Sequence, residues 1–222
     1  MLAGVGLLWA GRRLIDRRRR KHLHAALHGL PETLPGDTEE FAGTLAPFLG
    51  ELRAWLLHGW PTGMATVFPA ATWLRLATRG DGWVASADLH VLPGYWLRSN
   101  IPEFLPVLRL RRSALLVRCP RPVPKFLLRR RRMSDGIDVR LGFFPGFQAG
   151  IGHGTLLPSH LLLTPDGQTP EPVRALLATG SRPPDFCTGE GEHILLVFSR
   201  PLLAPGEIAE WMTRLADGIA SD

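Results

Sequence analysis

An uncharged apolar run opens the chain, helical spacing follows it, and strict alternation takes over further on. Met1 to Gly11 carries no charge, and Leu14, Ile15, Leu23 and Leu27 carry apolar character through the basic stretch behind it. This pattern predicts one helix over about 1–29. "GLPETLPGD", 29–37, has the composition of a linker. Phe41, Leu45, Phe48, Leu52, Trp55 and Leu56 then recur at helical spacing and predict a second, amphipathic helix over about 38–58. Asp37 with Glu40 three residues on supplies its capping box, and Gly59 and Pro61 end it. Pro47 lacks an amide hydrogen, so it kinks the helix or divides it in two.

Period two appears next. Trp83, Ala85, Ala87, Leu89 and Val91 alternate with Val84, Ser86, Asp88 and His90, and "RGDG" supplies a turn before them. A hairpin of about 72–78 with 83–92 follows. "VLRLRRSALLVRCP" and "KFLLRRRR" read as further strands with arginine on the wet face, and "IDVRLGFF" as another strand. A Gly/Pro-punctuated loop from 145 leads into a short apolar strand at about 156–163. Thr169, Pro170, Pro172 and Gly180 frame a helix at about 170–179. "FCTGEGEHILLVFS" reads as a hairpin whose second strand is His193 to Ser199. Ile208, Trp211, Met212, Leu215 and Ile219 predict a C-terminal amphipathic helix over about 205–220, with Pro205 at its start. Helices and strands are mixed rather than strictly alternating, so the expected class is α+β with a mixed or antiparallel sheet built from hairpins. Its parts are an N-terminal segment, 1–30, and a folded body, 38–222, divided into two lobes near 133–136 or forming one domain.

Composition narrows the function classes. The hydrophobic fraction is 45% and the charged fraction 21%, which excludes a disordered chain. Cys119 and Cys187 are far apart and lack ligand spacing, so neither a disulfide framework nor a zinc site is expected. Net charge is +6, but it is unevenly placed. Residues 1–132 hold 21 bases and 9 acids, whereas residues 133–222 hold 5 bases and 11 acids. The first part therefore calls for an anionic partner.

One cluster is Arg12, Arg13, Arg17, Arg18, Arg19, Arg20 and Lys21, directly behind the apolar run and Trp9. A secretory signal has its charges before the apolar region, so this is not one. Eleven residues are too few to span a bilayer, which takes about 17–25. The segment reads as a membrane anchor on the cytoplasmic face, apolar tip in the leaflet, arginines at the headgroups and Trp9 at the boundary. A second version makes the run the cytoplasmic end of a longer spanning helix. The bland version is a core helix with a solvated basic face. The expected partner is an anionic membrane surface or a membrane-protein complex.

The second cluster contains Arg109, Arg111, Arg112, Arg129, Arg130, Arg131 and Arg132. Outward arginines on strands can track phosphates, which makes a nucleic-acid-binding module the rival reading. Aromatic interleaving for base stacking is thin, and no named nucleic-acid motif appears. For chemistry, His24 and His28 share a helix face but have no further ligand, and "GFQAGIGHGT" lacks the Lys-Ser/Thr of a P-loop. Ser159, His160 and His153 suggest a hydrolase-like site, although no GxSxG elbow is present. No catalytic set, metal set or cofactor motif is complete. The sequence favours a non-enzymatic accessory or scaffold protein.

Overall fold

The computed structural model describes residues 2–26, 33–35, 43–52, 65–77, 81–93, 110–131, 148–149, 159–170, 173–174, 182–198 and 203–220; within helix 2–26 the side chains of residues 2–9, 12, 13, 16 and 20 lie outside the description. Its architecture is α+β. Helix α1 (Leu2–Ala26) comes first and helix α2 (Pro205–Ala220) last. Between them run strands β1 (Thr33–Pro35), β2 (Ala65–Ala77), β3 (Trp83–Pro93), β4 (Leu110–Arg130), β5 (Gln148–Ala149), β6 (His160–Thr164) and β7 (Phe186–Phe198). They form one antiparallel sheet ordered β1-β2-β3-β4-β6-β5, with β7 also paired to β4.

The β2–β3 hairpin forms as the alternation predicts, with Ala77 opposite Trp83, and extends outward to Ala65 opposite Pro93. Pro47 divides the second helix by forcing a 3-10 turn over Ala46–Phe48, and Leu45, Phe48 and Leu52 are buried. The rest of that predicted helix, the "IDVRLGFF" strand and most of the 170–179 helix lie outside the described residues. Gln148 and Ala149, read as loop, pair with Thr164 and Leu163.

Two readings need correcting. "VLRLRRSALLVRCP" and "KFLLRRRR" are not separate strands, and "FCTGEGEHILLVFS" is not a hairpin. Their described residues belong to two long strands, β4 and β7, which pair with each other from Ser113↔Phe198 to Arg129↔Phe186. The punctuation residues make a shared bend instead of a turn. Between Arg118↔His193 and Val123↔Gly191, four residues of β4 face one of β7. Pro120, Pro122 and Pro124 cannot donate ladder hydrogen bonds, and they fall where the ladder is interrupted. Gly191 takes φ +62°, which a residue with a side chain adopts at a cost. The bend brings the head of β7 back to its tail, where the Asp185 amide donates to the Val197 carbonyl at 3.0 Å.

Both faces of the sheet are covered, which explains why "SALLV" and "HILLVF" are continuous apolar runs. On one face Val84, Leu115, Val117, Leu196 and Phe198 pack with Leu23 of α1 and with Ile208, Trp211, Met212 and Leu215 of α2. Phe198 and Trp211 meet at 5.4 Å between ring centroids, tilted by 56°. On the other face Trp83, Ala87, Leu89, Leu116, Leu127, Leu195 and Val197 pack with Leu45, Phe48 and Leu52. Helix α2 begins as its sequence predicts: the Ala204 amide donates to Glu207 Oε2 at 2.6 Å, satisfying an N-terminal amide. This sheet takes strands from both sides of 133–136, and the residues of that junction lie outside the described residues.

Candidate functional site

Leu, Ala, Arg and Lys are strong helix formers, and they carry α1 from its apolar start through its basic half. Its surroundings change along its length. Leu23 is 3% exposed, and α1 packs against α2. Leu14 is 55% exposed and Ile15 59%. Ile15 falls four residues before Arg19, on much the same helix face, so the body stops covering α1 between those two residues. Arg17, Arg18 and Lys21 are exposed.

Arg19 behaves unlike its neighbours. Its Nε donates to Asp88 Oδ2 at 3.0 Å and its Nη2 to Asp88 Oδ1 at 3.2 Å. The same guanidinium reaches the Leu203 carbonyl at 2.8 Å and Ser113 Oγ at 3.2 Å. Ser113 Oγ also accepts the Leu203 amide at 3.1 Å. The side chains of Arg19 and Asp88 are 14% and 4% exposed. This corrects the assignment of Arg19 to the headgroup-facing set: it is a bidentate, desolvated pair with an internal carboxylate. Arg12, Arg13, Arg20 and Trp9 lie in α1 with side chains outside the described residues.

Alternation in "WVASADLHV" places Ser86 and Asp88 on one side of β3 but does not say what covers that side. Both are buried, each 3% exposed. Sequence reading missed Asp88, Ser86 and Ser113 for this reason: a half-polar strand face looks the same whether water or an arginine meets it. Ser86, Ala87 and Asp88 line a pocket of about 10 Å³ with Arg19, Leu23 and Ile208, room for one water molecule and no substrate.

Among the described residues the second basic cluster does not form one open face. Arg129 is buried at 3% exposure, against the expectation of an outward arginine. Arg112 is half-buried, and Arg130 and Arg131 are exposed. Arg130 approaches Asp185 at 3.7 Å, and Arg131 Nε donates to the His160 carbonyl at 3.0 Å. Within the same strand Arg118 pairs with Glu192, while Lys125 pairs with Glu51 and Glu190. Arg111 lies in β4 with its side chain outside the described residues, as Arg109 and Arg132 are altogether.

Of the hydrolase candidates, His153 lies outside the described residues. Ser159 and His160 do meet, at 2.9 Å from Oγ to Nδ1. His160 Nε2 is 2.9 Å from the Pro184 carbonyl. A carbonyl can only accept, so Nε2 carries the hydrogen and Nδ1 accepts from the serine hydroxyl. Burial holds this imidazole below its ordinary range, outweighing the Pro184 bond and the Asp185 charge. The order is serine, base and orienting group. The ring ties β6 to the 182–185 segment. Among the described residues no group of three or more His, Cys, Asp and Glu could hold a metal ion. His24 is exposed, and His28 is outside the described residues.

No protein-family model matches the chain, and no curated protein or solved structure matches it.

Proposed function

We propose that this protein is a non-enzymatic accessory or scaffold protein that associates with the cytoplasmic face of a membrane through α1. One observation carries the reading: Leu14 and Ile15 are exposed beside exposed Arg17, Arg18 and Lys21, on a helix whose following turns are fixed to the body by Arg19 and Leu23. Apolar surface next to exposed cationic charge suits the boundary between acyl chains and anionic headgroups. Among the described residues no helix is long and apolar enough to cross a membrane, so the proposed mode is association at the surface.

The expected strength is modest. Three cations contribute about 1 kcal/mol each near an acidic surface. Covering Leu14 and Ile15 adds about 1 kcal/mol each, since half of each side chain is already shielded. A total near 5 kcal/mol gives a partition constant of order 10³–10⁴ M⁻¹, comparable to one myristoyl chain and therefore reversible.

Flotation of the full chain with vesicles containing 30% phosphatidylglycerol, at low salt, tests this reading. The protein is expected to rise with acidic vesicles and stay behind with neutral ones. A truncation used as control should remove residues 2–15 and keep Arg19, because cutting further leaves Asp88 buried without its cation. Failure of the full chain to float refutes the reading, and retarded migration of DNA or RNA in its place favours the nucleic-acid alternative.

A further inference from the structure

We infer that the Arg19–Asp88 clasp sets the roll of α1 about its own axis, so that one side of the helix is held against the body and the opposite side presents a cationic stripe to the membrane. This rests on the membrane reading above and names the residue that orients the surface, Asp88. An interfacial helix ordinarily takes its roll from a well-separated apolar face. Helix α1 offers no such face in its described part. Leu14 and Ile15 are consecutive, roughly 100° apart around the axis, and Leu23 is already committed to the core. In these described turns the roll comes from elsewhere.

Arg19 supplies it. Its planar fork is engaged by β3 through Asp88, by β4 through Ser113 and by the entry to α2 through Leu203. Acceptors from three elements on one rigid group leave a single orientation, which a flexible ammonium would not enforce. Leu14, Arg17, Arg18 and Lys21 recur at i, i+3, i+4 and i+7, one stripe, and all four are exposed. The centre of that stripe is roughly 190° around the helix from the midpoint of Arg19 and Leu23. Docking on the body and contact with headgroups therefore use opposite sides of α1 and proceed together. Asp88 is a positioning residue: it contacts no lipid and holds the arginine that aims the stripe.

Two readouts on the full chain test this. In solution without vesicles, hydrogen exchange of the α1 amides 19–26 is expected to quicken at least about tenfold in Asp88→Asn, with α2 unchanged, because one partner of a buried pair is neutralised. The double variant Arg19→Met with Asp88→Leu should regain protection that Arg19→Met alone lacks, since an apolar pair can replace a buried ionic one. On acidic vesicles, environment-sensitive labels at Leu14→Cys and Lys21→Cys should be shielded several-fold more than labels at His22→Cys and Ala26→Cys. That difference should disappear in Asp88→Asn. The buried native thiols Cys119 and Cys187 do not compete for label. Unchanged exchange in Asp88→Asn, or equal shielding at all four positions in the wild-type background on vesicles that it binds, overturns the inference. If the wild type binds no vesicles, the membrane reading fails, while exchange in solution still decides whether Asp88 holds α1. If Asp88→Asn does not fold, Ser113→Ala keeps the ion pair and should still quicken exchange in 19–26 by about threefold; no change there overturns the clasp.

Discussion

Replacing Gly189 with alanine separates a bent continuous β7 from a hairpin. In a hairpin, "TGEGE" would be a solvent-facing turn, and one methyl group at Gly189 would cost little. In the structure Gly189 stands opposite Phe126 in the β4–β7 register. A Cβ built there collides with Phe126 Cε1 and lies 3.1 Å from Cζ and 3.2 Å from Cδ1. The ring cannot retreat freely: Phe126 is fully buried, and its carbonyl accepts the Thr188 hydroxyl at 2.9 Å. Overpacking of this kind costs about 1–3 kcal/mol. For a chain of 222 residues, about 2–4 °C is lost per kcal/mol, so Gly189→Ala should lower Tm by roughly 2–12 °C. Thermal unfolding followed by circular dichroism measures it. A second arm ties the loss to the ring: in a Phe126→Leu background the alanine should cost under about 1 kcal/mol, a coupling readable from a double-mutant cycle. A Tm within about 1 °C of wild type, or an equal cost in both backgrounds, refutes the bend as described.

Gly191 has open space around its Cα but φ +62°, so its cost is backbone strain: Gly191→Ala should destabilise by about 1 kcal/mol in urea titration, and Gly191→Asn by less. Burial lowers the pKa of His160 from 6.5, and burial does the same at His193. The unfolded chain then takes up protons before the folded one, so stability is full above about pH 7 and falls as pH drops through the unfolded value near 6.5. Urea midpoints should decline between about pH 7 and 5.5, less steeply in His160→Gln; a flat profile would count against the buried ring. Burial raises the Cys119 thiol to about 11 and pushes Cys187 up further, so a thiol reagent at pH 8 should label neither until denaturant is added.

Elements whose neighbours are local were legible in the sequence. Helix α2 shows its buried stripe in Ile208, Trp211, Met212 and Leu215, and the β2–β3 hairpin shows its alternation. Pro47 announces the break in the second helix because its missing amide hydrogen is a property of the residue alone. What failed depends on partners distant in sequence. Gly189, Gly191 and the prolines of β4 have the same composition in a turn and in a bulge, and only the pairing of β4 with β7 tells them apart. Arg19 is one of seven bases in a run, and nothing local marks it as the one that meets a carboxylate 69 residues away. Arg129 likewise looks like its exposed neighbours Arg130 and Arg131, yet it closes the run 126–129, buried where both faces of the sheet are covered.

The membrane reading is tested most directly by the partition of Arg17→Gln/Arg18→Gln/Lys21→Gln onto acidic vesicles, compared with wild type. These three side chains are exposed, and the substitutions leave Arg19 and Leu23 in place, so the folded body is preserved. Removing about 2–3 kcal/mol of headgroup attraction should weaken partition by roughly 30- to 150-fold, with the wild-type affinity itself falling as salt is raised. Equal partition of the two proteins, or no binding by either, contradicts the account.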